Sequence, residues 1–352
     1  MGAGTRFGQL TGVLKTMRNL CPILCLTLAA LLRAARLPAQ ELPSASSSAA
    51  ASSAAVEAAG SDDDILRDAL WTRLASVRPP KRPSVGLALS GGGARGFAHV
   101  GVLEALGYAG FPVDYVSGTS MGAVIGALYA SGIPVKELWD FGLDAGKAKI
   151  SRDFRGIKVL KLLITDKLLT PTYIDRFIND RLGDKTFGNL KVPFACTAMD
   201  LRTGENLIFT EGPLAEAVRA SVTLPGIFAP VQYGHRYLVD GGVADFVPID
   251  AAEQLGADWV LASVTGNEHA RMPENVLMSL LQVIDIRGSL LAASEEKRAG
   301  FVIEPQVSDM SVADFDRCVE AGEAGLVEAT RRMDAAREAL LVYSAPELIK
   351  KL

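Results

Sequence analysis

From Val85 onward short apolar runs alternate with amphipathic helical stretches, the pattern of crossover connections around a largely parallel sheet. Strands are expected at 85–90, 113–116, 191–199, 206–209, 237–239, 259–264 and 301–303. Helical periodicity covers 94–109, 121–131, 214–220, 249–255, 273–298 and 320–340. Ahead of this body, Ser61 and the acids Asp62, Asp63 and Asp64 start a short helix that runs to about residue 75. Its apolar side is expected to be Ile65, Leu66, Leu70 and Leu74, and the Pro79-Pro80 pair ends it. The expected organisation is an entry segment at 65–83 and one α/β body at 84–352, with a core at 84–265 and C-terminal helices at 273–352. No internal repeat interrupts it.

The N-terminus is built differently. The 13 apolar residues from Leu20 to Leu32 follow Lys15 and Arg18 and lead to Pro38-Ala39-Gln40. That run is shorter than the roughly 20 residues a bilayer span needs, and it reads as a signal peptide or N-terminal anchor occupying 1–39. An exported protein is therefore expected, periplasmic, secreted or membrane-associated. Residues 40–64 are a Ser/Ala-rich tract with too few large apolar side chains to offset the entropy of ordering, and read as a linker.

Charge and the metal-binding residue types narrow the function. The 352-residue chain carries a net charge of -4, but five basic residues and no acid lie before Gln40, which leaves 31 basic against 40 acidic residues in the rest. So acidic a body argues against nucleic-acid binding. Beyond Cys21 and Cys25 in the apolar run, only Cys196 and Cys318 remain, and two buried thiols are expected. His99, His235 and His269 have no ligand-spaced partners, so no metal or cofactor site is expected.

Three strand-to-glycine turns carry the candidate chemistry. Gly91-Gly92-Gly93-Ala94-Arg95-Gly96 follows the first strand and opens a helix, a junction where backbone N–H groups beside a helix N-terminus can hold an anion or oxyanion. Gly91, Gly93 and Gly96 also fit a dinucleotide fingerprint, but Asp114 precedes the second strand instead of ending it, so that fingerprint is incomplete. Gly118-Thr119-Ser120-Met121-Gly122 matches the elbow that lifts a nucleophilic serine to a helix N-terminus. Tyr237-Leu238-Val239-Asp240-Gly241-Gly242 delivers a carboxylate into a third turn. Open α/β sheets gather such turns at the carboxyl edge of the strands, which would bring together a nucleophile, a carboxylate and oxyanion donors. A conventional triad needs a histidine following the acid, and His269 alone does so. His99 reads as a packing histidine and His235 as a turn residue. A Ser120–Asp240 dyad is the economical reading, and it requires Asp240 to be desolvated so that its proton affinity rises. A His269 triad and a glycine-loop nucleotide-binding module stay open as alternatives.

These motifs, GGGARG at 91–96, GTSMG at 118–122 and DGG at 240–242, with ACTAMDLRT at 195–203 and AVRASVTLPGIFAPV at 217–231, resemble the patatin-like phospholipase family. The resemblance implies a three-layer α/β/α sandwich with a mostly parallel central sheet. It also implies metal-independent hydrolysis of a phospholipid or lysophospholipid through an acyl-enzyme on Ser120, with Asp240 as base. The oxyanion hole would lie among Gly91, Gly92, Gly93 and Ala94, the elbow and turn would use Gly118, Gly122, Gly241 and Gly242, and Arg95 would contact a lipid phosphate or brace the loop. A further stretch, Lys147 to Lys161, holds six basic residues and one acid, Asp153, and leads into Leu162, Leu163 and Ile164. It is read either as a cap touching a membrane surface or as a solvated basic face.

Overall fold

The computed structural model describes residues 62–146, 168–169, 171–266, 272–273 and 276–349. The signal-like run, the Ser/Ala tract up to residue 61, the basic stretch at 147–161 and His269 lie outside the described residues, while Asp62, Asp63 and Asp64, placed at the end of the linker, are helical. In chain order the helices are α1 (Asp62–Ser76), α2 (Ala98–Tyr108), α3 (Met121–Ala130), α4 (Val135–Gly146), α5 (Thr172–Leu182), α6 (Leu214–Ser221), α7 (Ile249–Leu255), α8 (Val276–Glu295) and α9 (Cys318–Ile349). The strands are β1 (Val85–Leu89), β2 (Tyr115–Gly118), β3 (Phe194–Asp200), β4 (Asn206–Phe209), β5 (Val231–Tyr233), β6 (Arg236–Asp240), β7 (Trp259–Ser263) and β8 (Phe301–Ile303). They form one sheet in the order β5-β6-β3-β2-β1-β7-β8, with β4 paired to β3.

Neighbours from β3 through β8 run parallel, whereas β4 and β6 pair antiparallel to β3, and β5 and β6 close a hairpin. The two faces of β1 and β7 separate two cores. Val85, Leu87, Leu89, Trp259 and Leu261 join α2, α3 and α9 on one side. Ala88, Val260 and Ala262 meet Ile249 and Ala252 of α7 and Ala292 of α8 on the other. Burial on both faces is why these strands read as continuous apolar runs. The result is a three-layer α/β/α sandwich.

Most expected elements are present, with instructive differences. The glycine loop passes through a 3-10 turn at Gly93–Phe97 before α2 begins, and α9 continues well beyond residue 340. Helices α4 and α5 and strand β5 were not anticipated; β5 has three residues, of which only Val231 is buried, too short for its period to show. The apolar side of α1 is also corrected. Trp71 and Leu74 are buried, Trp71 against Phe111 with ring centroids 5.2 Å apart, while Ile65, Leu66 and Leu70 are exposed. Cys196 and Cys318 are buried free thiols.

Helices α2 and α9 approach through glycines. A Cβ at Gly101 would run into the Gly322 carbonyl, and one at Gly325 into the Ala98 carbonyl. Gly101→Val is therefore expected to lower stability by about 2–3 kcal/mol in urea denaturation. Gly107→Ala, whose Cβ meets nothing within 4 Å, is expected to match or exceed the wild type.

Candidate active site

The register of β3 explains why two turns far apart in sequence meet. Gly118, the last residue of β2, pairs with Cys196, and Asp240, the last of β6, pairs with Ala198 two residues further along the same strand. Ser120 follows immediately at the N-terminus of α3 with φ 55 and ψ -121, alone among the described non-glycine residues in having positive φ. Such backbone strain costs on the order of 1–3 kcal/mol and is characteristic of residues held for function. The tight turn depends on Gly118, where a Cβ would meet the backbone of Gly122.

Ser120 Oγ donates to Asp240 Oδ2 at 2.6 Å, and Asp240 Oδ1 accepts from the Gly242 amide at 2.8 Å. Asp240 is buried, and desolvation pushes its pKa up to about 6 against the opposing pull of the bonds from Ser120 and Gly242. The carboxylate is therefore far more basic than an exposed aspartate while staying ionised at neutral pH. The N-terminal end of α3 favours negative charge forming on Oγ.

Beside them the glycine loop lines the same cleft, which measures about 880 Å³ with its solvent-open mouth included. Of the four expected oxyanion donors, two are already engaged: the Gly91 amide donates to Phe246 O at 3.1 Å and the Ala94 amide to Val312 O at 2.9 Å. Gly92 and Gly93, held at φ 148 and 56, keep the remaining amides at the cleft. The expectation is corrected at Gly91 and Ala94, whose amides are already bonded, and Gly92 and Gly93 remain the candidates. Apart from Asp285 the rest of the wall is apolar, including Val124, Phe141, Phe177, Leu224 and Leu281.

With the fold and this geometry in place, comparison with known proteins identifies the domain. Residues 87–253 match the patatin-like phospholipase family. Those residues carry a patatin-like phospholipase domain. The chain is 35% identical over 194 residues to the uncharacterized NTE family protein Rv1063c of Mycobacterium tuberculosis, covering 54% of this chain and 52% of that one. It is 35% identical over 188 residues to neuropathy target esterase sws of Drosophila melanogaster, covering 53% of this chain and 13% of the fly protein. The chain thus spans about half the length of its mycobacterial relative and a small part of the fly protein. Among solved structures, VipD from Legionella pneumophila is similar at 14% identity and a TM-score of 0.43, over 75% of this chain and 67% of that one.

In this patatin-like domain Arg95 is placed otherwise than as a phosphate contact. It is fully buried, and both of its terminal nitrogens are ion-paired to Asp285 of α8. A guanidinium enclosed there cannot reach a lipid headgroup, so Arg95 braces the loop. Asp114, the acid considered for a ribose, is bound by Arg82 at 2.6 and 2.9 Å and by the Val85 amide at 2.8 Å. His235 lies in the β5–β6 turn, away from the dyad's bonds.

Several residues that support the site carry no motif. His99 Nε2 lies 3.0 Å from Ser90 O and Nδ1 2.8 Å from Ser263 Oγ. Burial pushes its pKa down to about 4, so the ring is neutral, with Nε2–H donating to Ser90 and Nδ1 accepting from the Ser263 hydroxyl. Ser221 Oγ accepts from the Ser120 amide at 2.9 Å, and Thr119 Oγ1 bonds Thr197 Oγ1 at 2.7 Å. Asp285 lies in a mostly apolar helix that also carries Arg287, and no sequence motif marks it. Arg95→Ala, which strands the Asp285 charge, is expected to lower stability by roughly 3–5 kcal/mol, and Arg95→Met with Asp285→Leu to recover most of it. Thermal and urea unfolding of the single and double variants check this.

Proposed function

We propose that the chain is a serine lipid acyl hydrolase of phospholipase A or lysophospholipase type, working through a Ser120–Asp240 dyad. The observation that carries the reading is the 2.6 Å bond from Ser120 Oγ to a buried, basic Asp240 at the floor of an apolar cleft. The family's name, phospholipase, and that of the fly relative, an esterase, support the choice of lipid esters.

Asp240 Oδ2 takes the Ser120 proton as Oγ attacks the ester carbonyl carbon. The tetrahedral oxyanion sits between the Gly92 and Gly93 amides, near the positive end of α3. Collapse breaks the ester C–O bond, and the leaving alcohol takes the proton held on Asp240. Water then attacks the acyl-enzyme, gives a proton back to Asp240, and releases the fatty acid as the proton returns to Ser120. The dyad and two glycine amides perform every step. Burial of Asp240 supplies the basicity that a histidine supplies in a triad.

The test uses a fluorophosphonate probe and a short-chain fatty-acyl ester, with chelator present. Wild type is expected to label and turn over, and Ser120→Ala and Asp240→Asn to lose turnover by roughly 10³-fold or more. Equal labelling of Ser120→Ala and wild type, or no ester turnover by wild type, overturns the reading.

A further inference from the structure

Helix α8 is apolar on two opposite sides. Its inner side supplies Leu281, Ile284 and Asp285 to the cleft wall, and it is fastened at three points: Asp285 to Arg95, Gly288 against the Phe246 ring, and Glu295 Oε2 to the Val247 amide at 2.7 Å. Its outer side carries Val276, Val283 and Leu290 seven residues apart, 72%, 62% and 66% exposed, with Ile286 between them at 48%. Seven-residue spacing puts them on one stripe of the helix. Apolar side chains this exposed and aligned mark a surface made to be covered.

We propose that the outer stripe of α8 docks the protein on a phospholipid surface, laying the helix flat at the rim of the cleft; this rests on the lipid-hydrolase reading above. Between Val276 and Leu290 the charged residues are Asp285, buried against Arg95, and Arg287, exposed one turn beyond Val283. One cation flanked by aliphatic side chains, with no acid facing outward, matches a plane of acyl chains edged by phosphates. It fits a second copy of the chain poorly, because the same stripe on a partner copy would offer Arg287 no carboxylate, Asp285 being buried against Arg95. The helix lies on such a surface and does not pierce it: no helix among the described residues is long and apolar enough to cross a membrane. Because the other side of α8 walls the cleft, a lipid leaving the covered surface reaches Ser120 along one element. The exposed Leu168, where the described chain resumes beyond the basic stretch, is a further apolar side chain outside the cleft.

Two variants of the full chain test this with vesicles of phosphatidylcholine and phosphatidylglycerol. Val283→Trp places a reporter in the stripe, and its added emission is expected to be quenched when the acyl chains are brominated. Val283→Asp with Leu290→Asp is expected to lower turnover of vesicle phospholipid at least tenfold, while turnover of a soluble short-chain ester stays within twofold of wild type. Absence of quenching, or equal loss on both substrates, overturns the docking surface. So does a wild type that sediments as a dimer which the double variant dissolves while vesicle turnover is unchanged, because a second copy then covers the stripe. Quenching in a protein that hydrolyses neither substrate upholds the surface and overturns the hydrolase reading, so the two fail separately.

Discussion

A carboxylate withdrawn from water beside a serine hydroxyl is unfavourable until something receives its charge. Asp240 meets that condition with two short bonds, one from Ser120 Oγ and one from the Gly242 amide, and burial still leaves its pKa near 6. Both halves of that balance are needed. More bonds to the carboxylate would return it to the weak basicity of an ordinary aspartate, and fewer would leave it protonated at neutral pH. The surrounding fold holds the balance by keeping Asp240 buried at the end of a strand while Ser120 is raised on a strained turn.

The supports are distributed and largely polar. Strand β3 sets the spacing of the two turns, since Gly118 and Asp240 lie across from residues two apart on it. Neutral His99 ties the strand ends beneath the glycine loop by joining Ser90 to Ser263, and Arg95 ties the loop to α8 through Asp285. Carbonyls from Phe246 and Val312 take up the two outer amides of the loop, and Gly92 and Gly93 between them face the cleft. Under the proposed mechanism, the backbone oxyanion site is positioned by these partners.

Much of this was legible in the sequence, for identifiable reasons. Glycine turns after apolar strands have few alternatives, so the strands expected at 85–90, 113–116 and 237–239 lie within two residues of those observed, and Ser120 meets Asp240. What could not be read depends on partners distant in sequence. Arg95 reads as either a phosphate contact or a brace of the loop until Asp285, 190 residues away, is placed beside it. The same holds for the Gly91 and Ala94 amides, whose acceptors come from Phe246 and Val312, and for α1, whose buried residues are chosen by Phe111 and not by its own periodicity. The short strand β5 carries too few residues for any period to register.

The central claim is that burial, and no histidine, makes Asp240 the base. It is tested most directly by the pH dependence of kcat/KM on a soluble fatty-acyl ester, for wild type and His269→Ala. Only ionised Asp240 accepts the Ser120 proton, so the rate is expected to fall as pH drops through about 6, along the same limb in both proteins. A limb at the ordinary aspartate value of 3.8, or one that disappears with His269, would contradict the account.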